Sequence, residues 1–257
     1  MLGAIIGDIV GSIYEFNNIK TKRFKLFSEY CKFTDDTVMT IAVYKALVEC
    51  NGNYENLSKK VVEKMQYYGK KYPDCSYGSN FKNWIYSKNP QPYNSYGNGA
   101  GMRVSPVVEF ANSIDEVKDL ARKVTIVTHN HSEGLKGAEA TAVAIYMAKN
   151  NYTKEEIKDY IEKHYYPLDY KYRDLVKNYE FDETCQKTIP VAIYCFLKSK
   201  SFEDCLRTTI SIGGDSDTLA AISCSIAEYF YGIPDKIKEK VLTYLDYDLY
   251  NDIKNAI

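Results

Sequence analysis

Apolar residues recur along much of the chain with the period of an α-helix. In residues 38–49, VMTIAVYKALVE, four apolar side chains fall near one face, as 3.6 residues per turn requires. They are Val38, Ile41, Ala42 and Leu47. Similar patterns predict further helices at 56–68, 115–127, 133–149, 153–164, 187–198, 203–210, 217–231 and 234–245. The alternating pattern of β-strands is almost absent, so the sequence predicts an all-α fold.

The ends of several predicted helices carry local signals. Asp115 and Thr153 are N-cap candidates followed by acidic residues, and Pro234 suits a first-turn position. Clusters of Pro, Gly and Asn at 73–79 and 89–101 predict loops. The second loop is long enough to suggest a function.

Composition and charge exclude several classes of protein. The 257 residues are 45% hydrophobic and 26% charged, with 33 basic and 34 acidic side chains, which is typical of a globular protein and argues against general nucleic-acid binding. No apolar run approaches the roughly 20 residues of a membrane span. The apolar N-terminus lacks a basic region and contains Asp8 and Glu15, so we expect no signal peptide. Without repeats or linkers, residues 1–257 are predicted to form a single domain.

The cysteine pattern indicates a reducing compartment. Seven cysteines occur singly, an odd number without any CxxC pair. Such thiols behave as small hydrophobic side chains, and neither disulfides nor a zinc site is expected. The sequence therefore predicts a cytoplasmic protein.

Two acidic segments stand directly before apolar helical patterns, at 33–37 (FTDDT) and 213–218 (GGDSDT). Helix capping is the simplest interpretation of each. A cap needs only one side-chain oxygen, however, and four clustered carboxylates would repel one another without a cation. Hard oxygen donors suit Mg²⁺ or Mn²⁺, and carboxylates from two helix starts could bridge two ions roughly 3.5–4 Å apart. The candidate ligands are Thr34, Asp35, Asp36, Asp215, Asp217 and Thr218.

A glycine-rich segment at 95–103, SYGNGAGMR, is a candidate ligand-binding loop. Its three glycines allow backbone amides to approach an anion closely, although a simple turn is the commoner explanation. Tyr96 could supply a flat face for a base.

All three histidines of the chain can be given simple roles. In the segment THNHS, a hydrogen-bonding role is expected for His129 and a structural one for His131. His164 is expected to lie at a solvated helix end.

The N-terminal segment combines small and acidic residues. Gly3, Gly7 and Gly11 recur every four residues, which predicts close packing of one helix face against another helix. Asp8 and Glu15 lie two turns apart on one face, where a buried acid would need a partner.

Five segments, taken in order, resemble the ADP-ribosylglycohydrolase family. They are GAIIGDIVGSIYE, FTDDTVMT, YGNGAGMRVSPV, THNHSEGLKGAEA and GGDSDTLAAI, and they span residues 3 to about 222. The resemblance implies a compact, orthogonal all-α bundle with a binuclear Mg²⁺ or Mn²⁺ site at the base of a cleft. The chain is shorter than many members, and its tyrosine-rich residues 67–96 are expected to line part of this cleft.

The resemblance also implies roles for individual residues. The six candidate ligands named above would bind the two ions, and Glu15 would act in catalysis or in gating substrate entry. His129 would contact the ADP-ribose. Asp8 and Arg103 would either be structural or support the residues that bind the ligands. The loop that holds the diphosphate and the adenosine side would consist of Ser95, Tyr96, Gly97, Asn98 and Gly99.

The implied function is metal-dependent hydrolysis of the glycosidic bond between ADP-ribose and an acceptor, by a monomer. Glu15, Asp35 or Asp36 would serve as general acid or base, and the sequence does not decide between them. The acceptor stays open between a side chain such as arginine or serine and a small molecule. One alternative is a non-catalytic ADP-ribose-binding protein, which the complete ligand set disfavours. Another is a two-metal nucleotide-diphosphate phosphohydrolase, which the order of the five segments disfavours.

Overall fold

The computed structural model describes residues 1–257 and consists of α-helices joined by loops, with one short 3-10 helix at Ser105–Glu109 and one isolated β-bridge between Gly97 and Thr184. This architecture confirms the all-α prediction. None of its helices has the length and apolar character needed to cross a membrane. The fourteen α-helices are α1 (Leu2–Gly11), α2 (Asp35–Cys50), α3 (Leu57–Lys71), α4 (Ser79–Tyr86), α5 (Gly99–Met102), α6 (Ile114–Thr125), α7 (Ser132–Lys149), α8 (Lys154–His164), α9 (Tyr172–Asn178), α10 (Cys185–Lys198), α11 (Phe202–Ile210), α12 (Ser216–Tyr231), α13 (Asp235–Leu242) and α14 (Tyr247–Ile253).

Every helix predicted from apolar spacing is present, but some of the predicted ends are wrong. Ser113, two residues before the predicted Asp115, caps α6, because its hydroxyl accepts the Glu116 N–H, and the helix begins one residue earlier than predicted. Pro234 stands just before α13 and not within its first turn. The predicted loop 89–101 ends inside the single turn of α5.

Four short helices, α4, α5, α9 and α14, were missed. Each has only four to eight residues, with at most three of them buried, so its pattern is too short to give a helical period.

The hydrophobic core is one cluster of 68 buried residues, and the apolar side chains of α1 belong to it. All ten residues of α1 are buried. Its glycines lie against the backbone of α12, where a Cβ added to Gly7 would stand 2.3 Å from the carbonyl oxygen of Ala220. The predicted close packing of this glycine face is confirmed. All seven cysteines are free, and six of them are buried.

The start of α8 shows how local sequence fixes a helix end. Thr153 Oγ1 accepts the Glu156 N–H at 3.2 Å, while the Glu156 carboxylate accepts the Thr153 N–H at 2.8 Å. This reciprocal capping box confirms the predicted N-cap.

We expect Thr153→Ala to lower the free energy of unfolding by about 1 kcal/mol, since the Glu156 N–H loses its side-chain partner. Thr153→Ser keeps the hydroxyl and should stay close to the parent protein. Urea denaturation of the three proteins measures the difference. Equal midpoints for the alanine and serine variants would show that the cap does not stabilise the helix.

Candidate active site

The two acidic helix starts predicted from sequence meet in space. Thr218 Oγ1, in the first turn of α12, donates to Asp36 Oδ2, in the first turn of α2, at 3.2 Å. The chain enters α12 through Gly213 and Gly214, both at positive φ, which glycine adopts without strain. Asp215 follows directly, at the N-cap position. Residues about 180 positions apart in sequence therefore form one centre.

The carboxylates of this centre form two overlapping clusters. Oxygens of Asp8, Asp36 and Asp217 lie within 4.8 Å of one another, and so do those of Glu15, Asp215 and Asp217. Asp217 belongs to both, which makes it the link between them. The predicted ligand Asp35 lies in neither cluster but lines the same cleft.

Asp8 holds the start of α2 in place from α1. Its fully buried carboxylate accepts the backbone N–H groups of Thr34 and Thr37 at 2.9 and 3.0 Å and the Thr34 hydroxyl at 2.6 Å. Thr34 in turn caps α2 by accepting the Asp36 N–H. This network agrees with the structural role expected for Asp8. The Asp8 carboxylate also belongs to one of the two acidic clusters.

The electrostatics of the centre favour a cation. Burial, and next the neighbouring carboxylates, raise the pKa of Asp36 and of Asp217 well above the usual range. Asp36 Oδ1 is buried without a hydrogen-bond partner, which is costly for a carboxylate. An all-oxygen donor set of aspartates and threonines matches Mg²⁺ or Mn²⁺. The residues present therefore fit a divalent metal ion.

Glu15 projects toward the same centre from the turn after α1. Burial, and next the charge of Asp215, raise the pKa of Glu15 to about 7. Asn18 fixes this turn, because its Nδ2 donates to the carbonyl oxygens of Glu15 and Gly214, each at 2.9 Å, while its Oδ1 accepts the Gly214 N–H at 2.7 Å. Sequence reasoning missed Asn18, since an isolated asparagine in a loop carries no signal for such long-range contacts.

We expect Asn18→Ala to lower kcat/KM for substrate about tenfold, because the Glu15 turn loses its ties to the loop that carries Asp215. Asn17→Ala is the matched control, since Asn17 is exposed and makes no hydrogen bond. Steady-state kinetics of both variants measures the effect. If both kept parental kcat/KM, Asn18 would have no positioning role.

Glu15 and the aspartates of the acidic centre, apart from Asp8, line a polar cleft of about 280 Å³. Of the predicted binding loop, Ser95, Gly97, Asn98 and Gly99 line this cleft. Asn98 anchors the loop to the acidic centre by donating to Asp215 Oδ2 at 2.6 Å.

Tyr96 does not line the main cleft. It is exposed beside an adjoining hollow of about 410 Å³, and its ring centroid lies 5.2 Å from that of His131. Residues 67–96 do contribute to the main cleft, as expected, but mostly without their tyrosines. Tyr93 is the one tyrosine that lines it, and the other residues of this segment before the binding loop are Ser76, Gly78, Ser79, Asn80 and Phe81.

His129 lines the cleft and is hydrogen-bonded within the protein. Its Nδ1 lies 2.8 Å from Thr128 Oγ1 and 3.2 Å from Arg103 Nη2. Burial, and next the Arg103 charge, hold the pKa of His129 well below its usual range. This confirms the expected hydrogen bonding. Arg103, expected to be structural or to support the binding residues, lines the cleft as well.

The other two histidines lie away from the acidic centre. His131 caps α7 by accepting the Glu133 N–H at 3.0 Å, which confirms its structural role. His164 ends α8, with its exposed ring 4.3 Å from that of Tyr160.

Comparison with known proteins identifies the family. The family model for ADP-ribosylglycohydrolase matches residues 1–256. ADP-ribosylhydrolase ARH3 from Mus musculus is 26% identical over 310 aligned residues, which cover 91% of this chain and 83% of that protein. The Homo sapiens protein of the same name is 25% identical, with 93% and 86% covered.

A solved structure has the same fold. It is described as an ADP-ribosylglycohydrolase-related protein complex, superposes with a TM-score of 0.71 at 21% identity, and covers 98% of this chain and 93% of that one. Because the family match extends over nearly every residue, and the all-α fold agrees with it, the chain belongs to the ADP-ribosylglycohydrolase family.

Proposed function

We propose that the protein hydrolyses the glycosidic bond between ADP-ribose and an acceptor, with two Mg²⁺ or Mn²⁺ ions as cofactor. One observation carries the proposal. Buried carboxylates from α1, α2 and the start of α12 lie together, those of α2 and α12 line one cleft, and an unpaired oxygen of Asp36 lies among them. Such a centre attracts divalent cations and can hold the hydroxyls of a sugar. Since every proposed residue comes from one chain, we also propose that the monomer is active.

The proposed metal ligands come from the two acidic helix starts. When bound, the ions would supply positive charge for the ribose hydroxyls and lower the pKa of water. We include Asp35 because it faces the cleft from the first residue of α2, although it lies outside both acidic clusters. The full proposed set is Thr34, Asp35, Asp36, Asp215, Asp217 and Thr218.

Glu15 is the proposed general acid or base. In the metal-free protein the pKa of Glu15 is about 7, and a proton-transfer group needs a pKa near the working pH. Asp35 and Asp36 are less suited to this role, because metal ligands must stay ionised. Glu15 would exchange a proton with the attacking water or the leaving group while an oxocarbenium-like state develops at the anomeric carbon.

The other wall of the cleft is the proposed binding surface for ADP-ribose. Gly97 and Gly99 leave room for the diphosphate, and His129 faces the same space. Tyr96 would offer its exposed ring to the adenine base in the adjoining hollow. A non-catalytic ADP-ribose-binding protein would need neither a complete set of six ligands nor an acid with a pKa near 7.

The experiment that tests this function uses peptides carrying ADP-ribosyl-arginine or ADP-ribosyl-serine, incubated with the protein and Mg²⁺ or Mn²⁺. We expect free ADP-ribose from at least one of them, and no release in excess EDTA. Chromatography separates ADP-ribose from AMP, the product of a phosphohydrolase. AMP as product would contradict the proposal, and binding of ADP-ribose without turnover of either peptide would favour the non-catalytic alternative.

A further inference from the structure

Arg103 is a buried cation without a carboxylate partner. Its side chain is 1% exposed, its Nη2 donates to Thr128 Oγ1 at 2.6 Å, and its Nε has no hydrogen-bond partner. Arg122 and Arg207 form ion pairs with glutamates, whereas Arg103 forms none. Burial lowers the pKa of Arg103 only to about 10, so the guanidinium is charged at neutral pH. A buried charge without an opposite charge beside it is costly, so the burial of Arg103 calls for an explanation.

The contacts of Arg103 determine which nitrogen of His129 carries the proton. A guanidinium can only donate, so Thr128 Oγ1 and His129 Nδ1, at 2.6 and 3.2 Å from Arg103 Nη2, must both accept. The Thr128 hydroxyl keeps its own proton, which can be donated to Nδ1 at 2.8 Å. A proton on Nδ1 would face the guanidinium donor. The neutral ring therefore carries its proton on Nε2.

The surroundings also keep the ring of His129 neutral. Burial and the Arg103 charge both disfavour the imidazolium. Other titratable groups near this pair are Tyr93, whose ring centroid lies 6.2 Å from that of His129, and Cys185 and Asp35, whose charges act on Arg103. None of these groups is hydrogen-bonded to the imidazole.

His129 Nε2, the nitrogen that carries the proton, lies beside Gly97 and Gly99 of the binding loop. His129 Nε2 makes no hydrogen bond to the protein. A Cβ added to Gly99 would stand 3.4 Å from Nε2, and one added to Gly97 would stand 3.6 Å away. Without these side chains, the Nε2–H group opens into the cleft that both glycines line.

We propose that Arg103 and Thr128 are positioning residues that hold His129 as the neutral Nε2–H tautomer, so that His129 donates a hydrogen bond to an oxygen of the bound ligand. The opposite tautomer would present a lone pair at Nε2, which cannot donate to that oxygen and would repel a phosphate. That the oxygen is a phosphate or hydroxyl of ADP-ribose rests on the proposed function. The tautomer itself does not, because it follows from contacts within the protein.

The tautomer is measured by long-range proton–nitrogen NMR correlations on the full chain labelled with ¹⁵N-histidine. Only three histidines are present, and His131→Gln and His164→Gln variants assign the signals. We expect His129 to show a protonated Nε2 and an unprotonated Nδ1, unchanged from pH 6 to 8. An Nδ1–H tautomer or an imidazolium at pH 7 in the parent protein would overturn the proposal, without any variant being needed.

Variants then test the part played by Arg103. Arg103→Met removes the obligate donor, so His129 should exchange between its two neutral tautomers, whereas Arg103→Lys restores a donor. Arg122→Met removes a half-exposed arginine that pairs with Glu139 and is the matched control. A His129 spectrum in Arg103→Met identical to that of the parent would contradict the positioning role.

ADP-ribose is the probe for the ligand. Adding it should shift the Nε2 proton signal of His129, and Arg103→Met should weaken binding at least about tenfold. Binding that leaves this signal unmoved would overturn the proposed contact with ligand. Absence of ADP-ribose binding in the parent protein would instead overturn the proposed function. The proposed tautomer of His129 would still be tested by the spectrum of the ligand-free protein.

Discussion

Asp217→Asn should lower the rate of ADP-ribose release at least about a thousandfold, equivalent to about 4 kcal/mol of transition-state stabilisation. Asp217 is the one residue present in both acidic clusters, so the loss of its charge weakens both proposed metal positions. Asp36→Asn should act in the same direction, because it removes the carboxylate whose Oδ1 has no partner within the protein. Release of ADP-ribose under saturating substrate and metal measures both effects.

The unfolding temperature shows whether a variant loses activity because its metal site is damaged or because its fold is damaged. Without metal, Asp217→Asn should unfold at a temperature equal to or above that of the parent, because one of several mutually repelling buried carboxylates has become neutral. Added Mn²⁺ should raise the unfolding temperature of the parent more than that of the variant. Asp169→Asn, at an exposed position, is the matched control. Parental turnover in both Asp217→Asn and Asp36→Asn would refute the proposed metal site.

Gly7→Ala should destabilise the fold by about 3–5 kcal/mol, a large effect for one methyl group. The added Cβ would stand 2.3 Å from the carbonyl carbon and oxygen of Ala220 and 2.4 Å from the nitrogen of Ala221. Those atoms belong to the backbone of α12 and cannot rotate away. Since α1 is buried along its whole length, it can move away from α12 only by disturbing the core.

Gly78→Ala is the matched control for this prediction. Gly78 has φ −56° and ψ 146°, which alanine adopts freely, and nothing lies within 4 Å of its added Cβ. We expect its stability to equal or slightly exceed that of the parent. Urea denaturation compares the midpoints. If Gly7→Ala unfolded at the same urea concentration as Gly78→Ala, α1 and α12 would not be in close contact.

Local pattern was sufficient to predict most of the fold. The long helices α2, α7, α10 and α12 present enough turns for their apolar periodicity to emerge, and a capping box fixes the start of α8. Helix ends were less predictable, because a serine two residues upstream of Asp115 is an equally good cap.

The acidic centre was predictable in part, because four carboxylates exceed what two helix caps need. The two acidic helix starts meet because α1 contacts both of them, and no local sequence pattern shows these contacts. Asp8 on one face of α1 binds the start of α2, while a Cβ on Gly11 would stand 2.5 Å from Asp217 Cα in α12. One buried helix thus contacts both helix starts, and the glycine spacing alone did not name its partner.

Arg103 and Asn18 show what sequence reasoning could not reach. Both act through long-range hydrogen bonds, the first to Thr128 and the second to Gly214, and neither pairing has a spacing that a local motif would reveal.

Anomalous diffraction from crystals soaked in MnCl₂ is the measurement that tests the metal centre most directly. We predict two manganese peaks at the bottom of the cleft, roughly 3.5–4 Å apart, with Asp36 and Asp217 among their ligands. Both peaks should weaken in crystals of Asp217→Asn. No peak between the starts of α2 and α12, with manganese bound elsewhere or not at all, would contradict the proposed metal-dependent hydrolysis.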